Sequence, residues 1–169
     1  MQILFRPSEN LSIVLLKALQ EANMLGAETM GVEHVLKGLL FVHTRCKAIR
    51  ILRHLGITPD LLGEYLCTRP QPYPNFGIID SYDQELSLAL TRAFDATKEA
   101  QCRLVGTEHL LVALSRNPFG AFMHLLQEFE LTPDQIPQAY AEITTDNMLG
   151  KAVHVYFDTT PSKKSGKRQ

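Results

Sequence analysis

Apolar residues recur every three or four positions near the start of the chain, at Leu11, Val14, Leu15, Ala18, Leu19, Ala22 and Leu25. One stripe of a 3.6-residue period predicts an amphipathic helix facing a core. A second stripe, at Leu86, Ala89, Leu90, Ala93, Phe94 and Ala100, predicts its counterpart. The two are copies: Leu11-Ser12-Ile13-Val14-Leu15 returns 75 residues later as Leu86-Ser87-Leu88-Ala89-Leu90. Gly31-Val32-Glu33-His34-Val35-Leu36 returns at the same offset as Gly106-Thr107-Glu108-His109-Leu110-Leu111, and Thr58-Pro59-Asp60 returns at an offset of 74 as Thr132-Pro133-Asp134. A duplicated unit predicts a pseudo-symmetric domain, and two copies are few for an open solenoid.

Each copy predicts four helices. Ser8 and Asp83 stand just ahead of the first, each with a side-chain oxygen able to accept from free first-turn N–H groups. Gly26 predicts the end of the first helix in copy one, where copy two has Gln101. The second helix starts near Gly31 and Gly106, with Glu and His in its first turn. The third carries Ile51, Leu52 and Leu55, matched by Leu125, Leu126 and Phe129, with Gly56 as terminator in copy one. Thr58 and Thr132 predict N-caps for a short fourth helix, with Pro59 and Pro133 at the first helical position, where a missing N–H costs nothing. The fold class is therefore all-α, a duplicated four-helix repeat in one domain over 1–145. Repeat one covers about 8–67 and repeat two about 83–143. The connection over 68–82 alternates Pro70, Pro72 and Pro74 and cannot hold a helix. Ala152 to Phe157 has strand-like residues and is read, with the basic end of the chain, as a flexible extension over 146–169.

With 169 residues, 45% of them hydrophobic and 21% charged, the chain can bury a core. The net charge of −1 hides an asymmetry, because Lys163, Lys164, Lys167 and Arg168 lie in a stretch without acids, leaving 13 cations against 18 acids elsewhere. An acidic body argues against nucleic acid as a partner, since phosphate contacts need clustered Lys and Arg. No segment approaches the roughly 20 apolar residues that cross a bilayer, and the first residues do not read as a signal peptide. Cys46, Cys67 and Cys102 are odd in number without a C-x-x-C pair, which suits a reducing compartment. The expectation is a soluble protein of the cytoplasm, or of the plastid stroma in a plant, with no membrane partner.

The Glu-His segments invite an acid–base or metal reading. The spacing argues otherwise, since H-E-x-x-H is absent and no two histidines stand at i and i+4. His34 and His109 are read as capping or packing groups. Glu33 and Glu108 favour the positive end of a helix dipole, and as a duplicated pair of carboxylates they could equally bind a cationic group. His43, His54, His124 and His154 have no counterparts and are read as chemically silent. Neither a Gly-x-x-x-x-Gly-Lys-Ser/Thr phosphate loop nor a Gly-x-Gly-x-x-Gly fingerprint occurs, nor Gly-x-Ser-x-Gly. No enzyme activity, catalytic residue, metal or cofactor is expected.

Two copies of a unit with Gly-[Thr/Val]-Glu-His-[Leu/Val]-Leu-x-[Gly/Ala]-Leu opening its second helix resemble the amino-terminal domain of Clp (Hsp100) unfoldase ATPases. The resemblance is closest to the ClpC and ClpA kind and covers roughly Phe5 to Ile143. It implies an all-helical pseudo-dimer that receives substrates and adaptors, here as a stand-alone domain like the accessory subunits of the Clp protease. The partners implied are Clp ATPase or protease core subunits, or substrate proteins. It also implies ligand-binding positions at Glu33 and Glu108, for the guanidinium of phosphorylated arginine, with Ser8 and Thr107 beside them. Val32 stands where the family has Thr, and Asp83 stands where it has a hydroxyl, bringing negative charge towards any phosphate.

Overall fold

The structure, a computed structural model, describes residues 6–69 and 81–146. The proline-rich part of the connection, the segment Ala152 to Phe157 and the basic end lie outside the described residues. Eight helices are present among them: α1 (Glu9–Met24), α2 (Val32–Phe41), α3 (Lys47–His54), α4 (Pro59–Cys67), α5 (Gln84–Glu99), α6 (Thr107–Ser115), α7 (Ala121–Glu128) and α8 (Gln135–Asp146). The first four form repeat one and the last four repeat two. None of these helices is long and apolar enough to cross a membrane.

Local chemistry explains most of the boundaries. Ser8 Oγ accepts from the Leu11 N–H at 3.2 Å, and Asp83 Oδ1 accepts from the Leu86 N–H at 2.7 Å, so both first helices are capped as their sequences predict. Thr58 Oγ1 does the same for α4 at Leu61. Gly26 and Gly56 close α1 and α3 with positive φ of 64° and 89°. Gln101 and Glu130 take the same left-handed turn in repeat two, at 55° and 54°. There a Cβ is held against the following carbonyl at a cost on the order of 1 kcal/mol each.

The start of α8 differs from its expected form. Thr132 does not cap through its hydroxyl; its N–H and Oγ1 both donate to Gln135 Oε1, at 2.7 and 3.3 Å, and Pro133 and Asp134 form a turn before the helix. A glutamine three residues on supplies the reach-back half of a capping box and displaces the threonine from its expected role. Nor is α8 short: its 12 residues exceed those of α6 and α7. Ala100 is exposed at the end of α5, while Thr97 takes the buried place and satisfies its hydroxyl on the Phe94 carbonyl at 2.8 Å.

The repeats are tied by crossed backbone bridges. Ser8 N–H donates to the Val105 carbonyl at 2.8 Å and Val105 N–H donates to Arg6 at 3.0 Å. Asp83 N–H donates to Met30 and Met30 N–H donates to Ser81, each at 3.0 Å. Pro7 thus pairs with Val105 and Tyr82 with Met30, both parallel. Pro7 and Tyr82 are one repeat apart, as are Met30 and Val105, so one contact is the pseudo-two-fold image of the other. The lead-in to each repeat's first helix lies beside the lead-in to the other repeat's second helix. Below these bridges Leu11, Val14, Leu36, Ile51, Leu52, Leu86, Leu110, Leu111, Phe122 and Leu125 form one core, each no more than 2% exposed.

Within repeat one, α1 packs on α2 so closely that a Cβ on Gly38 would stand 2.5 Å from the Val14 carbonyl oxygen. Repeat two has Ala113 at the corresponding place. Gly38→Ala is expected to lower stability by about 1–3 kcal/mol through backbone overpacking, whereas Ala113→Gly costs about 1–2 kcal/mol through helix propensity and the loss of a buried methyl. Conversely, Gln101→Gly and Glu130→Gly should each raise stability by about 0.5–1 kcal/mol by relieving the left-handed turn. Urea midpoints of the four variants check all three statements.

Candidate functional site

Both Glu-His segments lie at the first turn of a second helix, and both use their histidine in the same way. His34 Nδ1 accepts from the Gly31 N–H at 3.0 Å, and His109 Nδ1 accepts from the Gly106 N–H at 2.8 Å. The third helical residue reaches back to the residue ahead of the helix, a job usually done by Glu or Gln. An Nδ1 that accepts carries no proton. The 4.0 Å approach of His109 Nδ1 to Glu108 Oε1 is therefore not an ion pair. Burial holds both imidazoles below their ordinary value of 6.5, reinforced by Lys37 at His34 and by Lys47 at His109. The expected capping role of the histidines is what the geometry shows.

The glycines ahead of these histidines matter for space. Gly31 and Gly106 have ordinary extended backbones, with φ of −112° and −96°. A Cβ on Gly106 would collide with the Glu108 carboxylate, and one on Gly31 with the Asp83 carboxylate. Each bare Cα lets a carboxylate lie against the helix start, but the carboxylate differs between the halves.

In repeat two the segment faces the start of α3. Thr107 is buried, and its Oγ1 accepts from the Ala48 N–H and from the Cys46 thiol, both at 3.3 Å. A hydroxyl of one repeat thus caps a helix of the other. Glu108 is 5% exposed, and its Oε1 lies 3.1 Å from Lys47 Nζ. Its surroundings register the charge: burial, then the Glu108 carboxylate, push the Tyr140 phenol up to about 12. Burial likewise raises the Cys46 thiol.

In repeat one the segment faces the start of α7, and the chemistry is exchanged. Val32 has no hydroxyl to offer, and Glu85 of α5 takes over the capping, its carboxylate accepting from the Ala121 N–H at 2.7 Å and the Phe122 N–H at 3.5 Å. Glu33 is half-buried and lines an open cleft of about 480 Å³ together with Glu28, Gly31, His34, Asp83 and Ala121. Among the described residues no Lys or Arg nitrogen lies within salt-bridge distance of Glu33. Three carboxylates therefore line the cleft with no Lys or Arg among its lining residues, and Lys37 and Arg69 act on His34 and Glu33 from beyond it.

Of the four positions expected to bind ligand, Glu33 lines the cleft, Glu108 and Thr107 are engaged in the seam with α3, and Ser8 caps α1. Glu108 is not among the residues that line the Glu33 cleft. Lys47 and Glu85, which decide how the two halves differ, went unnoticed in the sequence; the one available signal was pairwise, a lysine and a glutamate standing where the other copy has Ala121 and Asn10. His54 is not silent: its Nε2 lies 2.8 Å from Glu142 Oε2, joining α3 to α8, and this hydrogen bond holds the Glu142 carboxyl below its ordinary value. Among the described residues no group of three or more His, Cys, Asp or Glu is placed to hold a metal ion.

The fold of two four-helix repeats is one that solved Hsp104 and Clp amino-terminal domains share. The chain is similar to the Hsp104 N-terminal domain from Candida albicans, with a TM-score of 0.66 and 14% identity, covering 82% of this chain and 91% of that one. It is similar as well to the N-terminal domain of the caseinolytic protease associated chaperone ClpD from Arabidopsis thaliana, with a TM-score of 0.62 and 17% identity, over 82% and 97% of the two chains. In sequence it is 26% identical over 136 residues to a probable ATP-dependent Clp protease ATP-binding subunit of Chlamydia pneumoniae. That match takes in 78% of this chain and 16% of the relative, so the chain spans about one sixth of that protein's length. No family model matches the chain. The all-helical fold and the Clp amino-terminal resemblance expected from the sequence are both borne out.

Because both histidines are held below 6.5 while folded, the folded state binds fewer protons than the unfolded chain. Their contribution to stability is complete above about pH 6.5 and is lost as pH falls through the lowered values. Replacing both by Gln keeps a reach-back acceptor and removes the titration. The expected outcome is a near-normal urea midpoint at neutral pH and a flatter midpoint–pH curve below about pH 6.5. His34→Ala and His109→Ala should each cost about 0.5–2 kcal/mol at neutral pH.

Proposed function

We propose that this chain is a non-enzymatic binding module of the Clp unfoldase–protease system, acting as an accessory or adaptor protein that engages Clp ATPase or protease core subunits and modulates assembly or substrate delivery. The observation that carries the reading is the fold, shared with Clp and Hsp104 amino-terminal domains over more than four-fifths of the chain, together with the sequence likeness to a Clp protease ATP-binding subunit. The arrangement of side chains supports binding over catalysis. The Nδ1 atoms of both histidines are consumed as backbone acceptors, which removes them as general bases.

A second reading is favoured by the cleft itself: a substrate- or degron-binding module that holds marked proteins away from the unfoldase. Glu28, Glu33 and Asp83 together suit a guanidinium or ammonium group of a client. Phosphoarginine fits less well, since a phosphate brought within about 4 Å of a carboxylate meets repulsion of roughly 1 kcal/mol even in bulk water, and more beside a protein surface.

Affinity capture with the full chain from a native lysate of the source organism separates the two. Recovery of Clp ATPase or protease core subunits in stoichiometric amount is the expected outcome of the first reading, and absence of Clp components sinks it. Varied clients recovered without Clp subunits, and lost with Glu33→Gln, is the outcome of the second.

A further inference from the structure

Glu33 and Glu108 hold equivalent places in the two repeats, but what stands opposite them is not equivalent. Glu108 is 5% exposed and meets Lys47 Nζ at 3.1 Å across the seam. The residue corresponding to Lys47 in the other half, 74 positions on, is Ala121, which forms part of the cleft wall beside Glu33. One carboxylate meets an ammonium group supplied by the chain at 3.1 Å, and the other lines an open cleft that no Lys or Arg lines.

We propose that Lys47 is a built-in occupant of the Glu108 site, an internal cation that closes this half to basic side chains of a partner and leaves the Glu33 cleft as the half that binds. The other groups around Glu108 do not provide a cation in its place. His109 Nδ1 is an acceptor for the Gly106 N–H, Thr107 Oγ1 accepts from α3, Tyr140 stays a neutral phenol, and Cys46 donates its thiol to Thr107. A tethered ammonium also outcompetes a free one, because its effective concentration beside the carboxylate is on the order of millimolar or more. The lysine side chain is nonetheless 60% exposed, so the plug is reached from solvent, and acetylation, which removes the charge, would open the site. The inference deepens the client-binding reading, and rests on it only in taking a basic side chain as the ligand class.

The test is a titration of the ¹⁵N-labelled full chain with Nα-acetyl-arginine amide, a guanidinium probe without a carboxylate, followed at the amides of Gly31 to His34 and of Gly106 to His109. In the unsubstituted chain, saturable shifts are expected at the first segment and not at the second. Lys47→Met keeps the aliphatic stem and removes the charge; it should gain saturable shifts at Gly106 to His109, with apparent affinity there rising at least tenfold, and Glu108→Gln added to it should abolish the gain. A folded Lys47→Met chain with no gain overturns the proposal, as does saturation of both segments in the unsubstituted chain. Absence of shifts at Gly31 to His34 overturns the assignment of the Glu33 cleft, and with it the client-binding reading, while the Lys47→Met comparison still decides whether Lys47 is a plug. Should Lys47→Met not fold, amine acylation of the unsubstituted chain decides: Lys47 is expected to react at least several-fold more slowly than exposed Lys98, and equal rates overturn the plug.

Discussion

The crossed backbone bridges are the contacts on which everything else in this molecule depends. Arg6, Pro7 and Ser8 pair with Val105, while Ser81, Tyr82 and Asp83 pair with Met30. These hydrogen bonds set where α2 and α6 begin, because Gly31 and Gly106 follow the bridged residues directly. They also fix which helix start faces which. With the lead-in strands crossed, the first turn of α6 meets α3 and the first turn of α2 meets α7. The Glu-His segments consequently lie at the boundary between repeats, where Thr107 of repeat two caps α3 of repeat one while α7 is capped from within its own repeat by Glu85.

That geometry makes the boundary a place where small substitutions have large electrical effects. At one end of the pseudo-axis a threonine hydroxyl caps α3 and a lysine neutralises the buried Glu108. At the other, a valine has lost the hydroxyl, a glutamate from α5 caps α7 in its stead, and an alanine stands where the lysine would be. Both α3 and α7 receive a side-chain acceptor at their start, but the charges around them differ. One end pairs Glu108 with Lys47, and the other gathers Glu28, Glu33, Asp83 and Glu85. Two repeats joined by matching backbone bridges thereby carry two chemically unlike faces.

Features set by local spacing could be read from the sequence, and features set by contacts between repeats could not. The amphipathic stripes of α1 and α5, the oxygens of Ser8, Asp83 and Thr58, and the terminators Gly26 and Gly56 act within a few residues, so the chain announces them. Gln101 and Glu130 take left-handed turns without a residue type that signals it, since the core on either side imposes the turn. Thr132 looked like a cap because Thr58 is one, but Gln135, absent from the first copy, competes for its N–H. Ala100 fitted the apolar stripe and fell beyond the last helical turn. Lys47 gave no sign, because its meaning depends on a carboxylate 61 residues away that only folding brings near.

The crossed bridges have one more consequence, which concerns what duplication makes possible. A symmetric dimer of a single repeat would have the same contacts, but every residue in it would appear twice, and no substitution could alter one helix start without altering the other. Joining the copies in one chain lifts that restriction. Val32 and Thr107, or Lys47 and Ala121, can then be chosen independently while the bridges hold the frame unchanged. The covalent link between repeats is in this sense a source of asymmetry: it lets equivalent positions of one frame carry different chemistry.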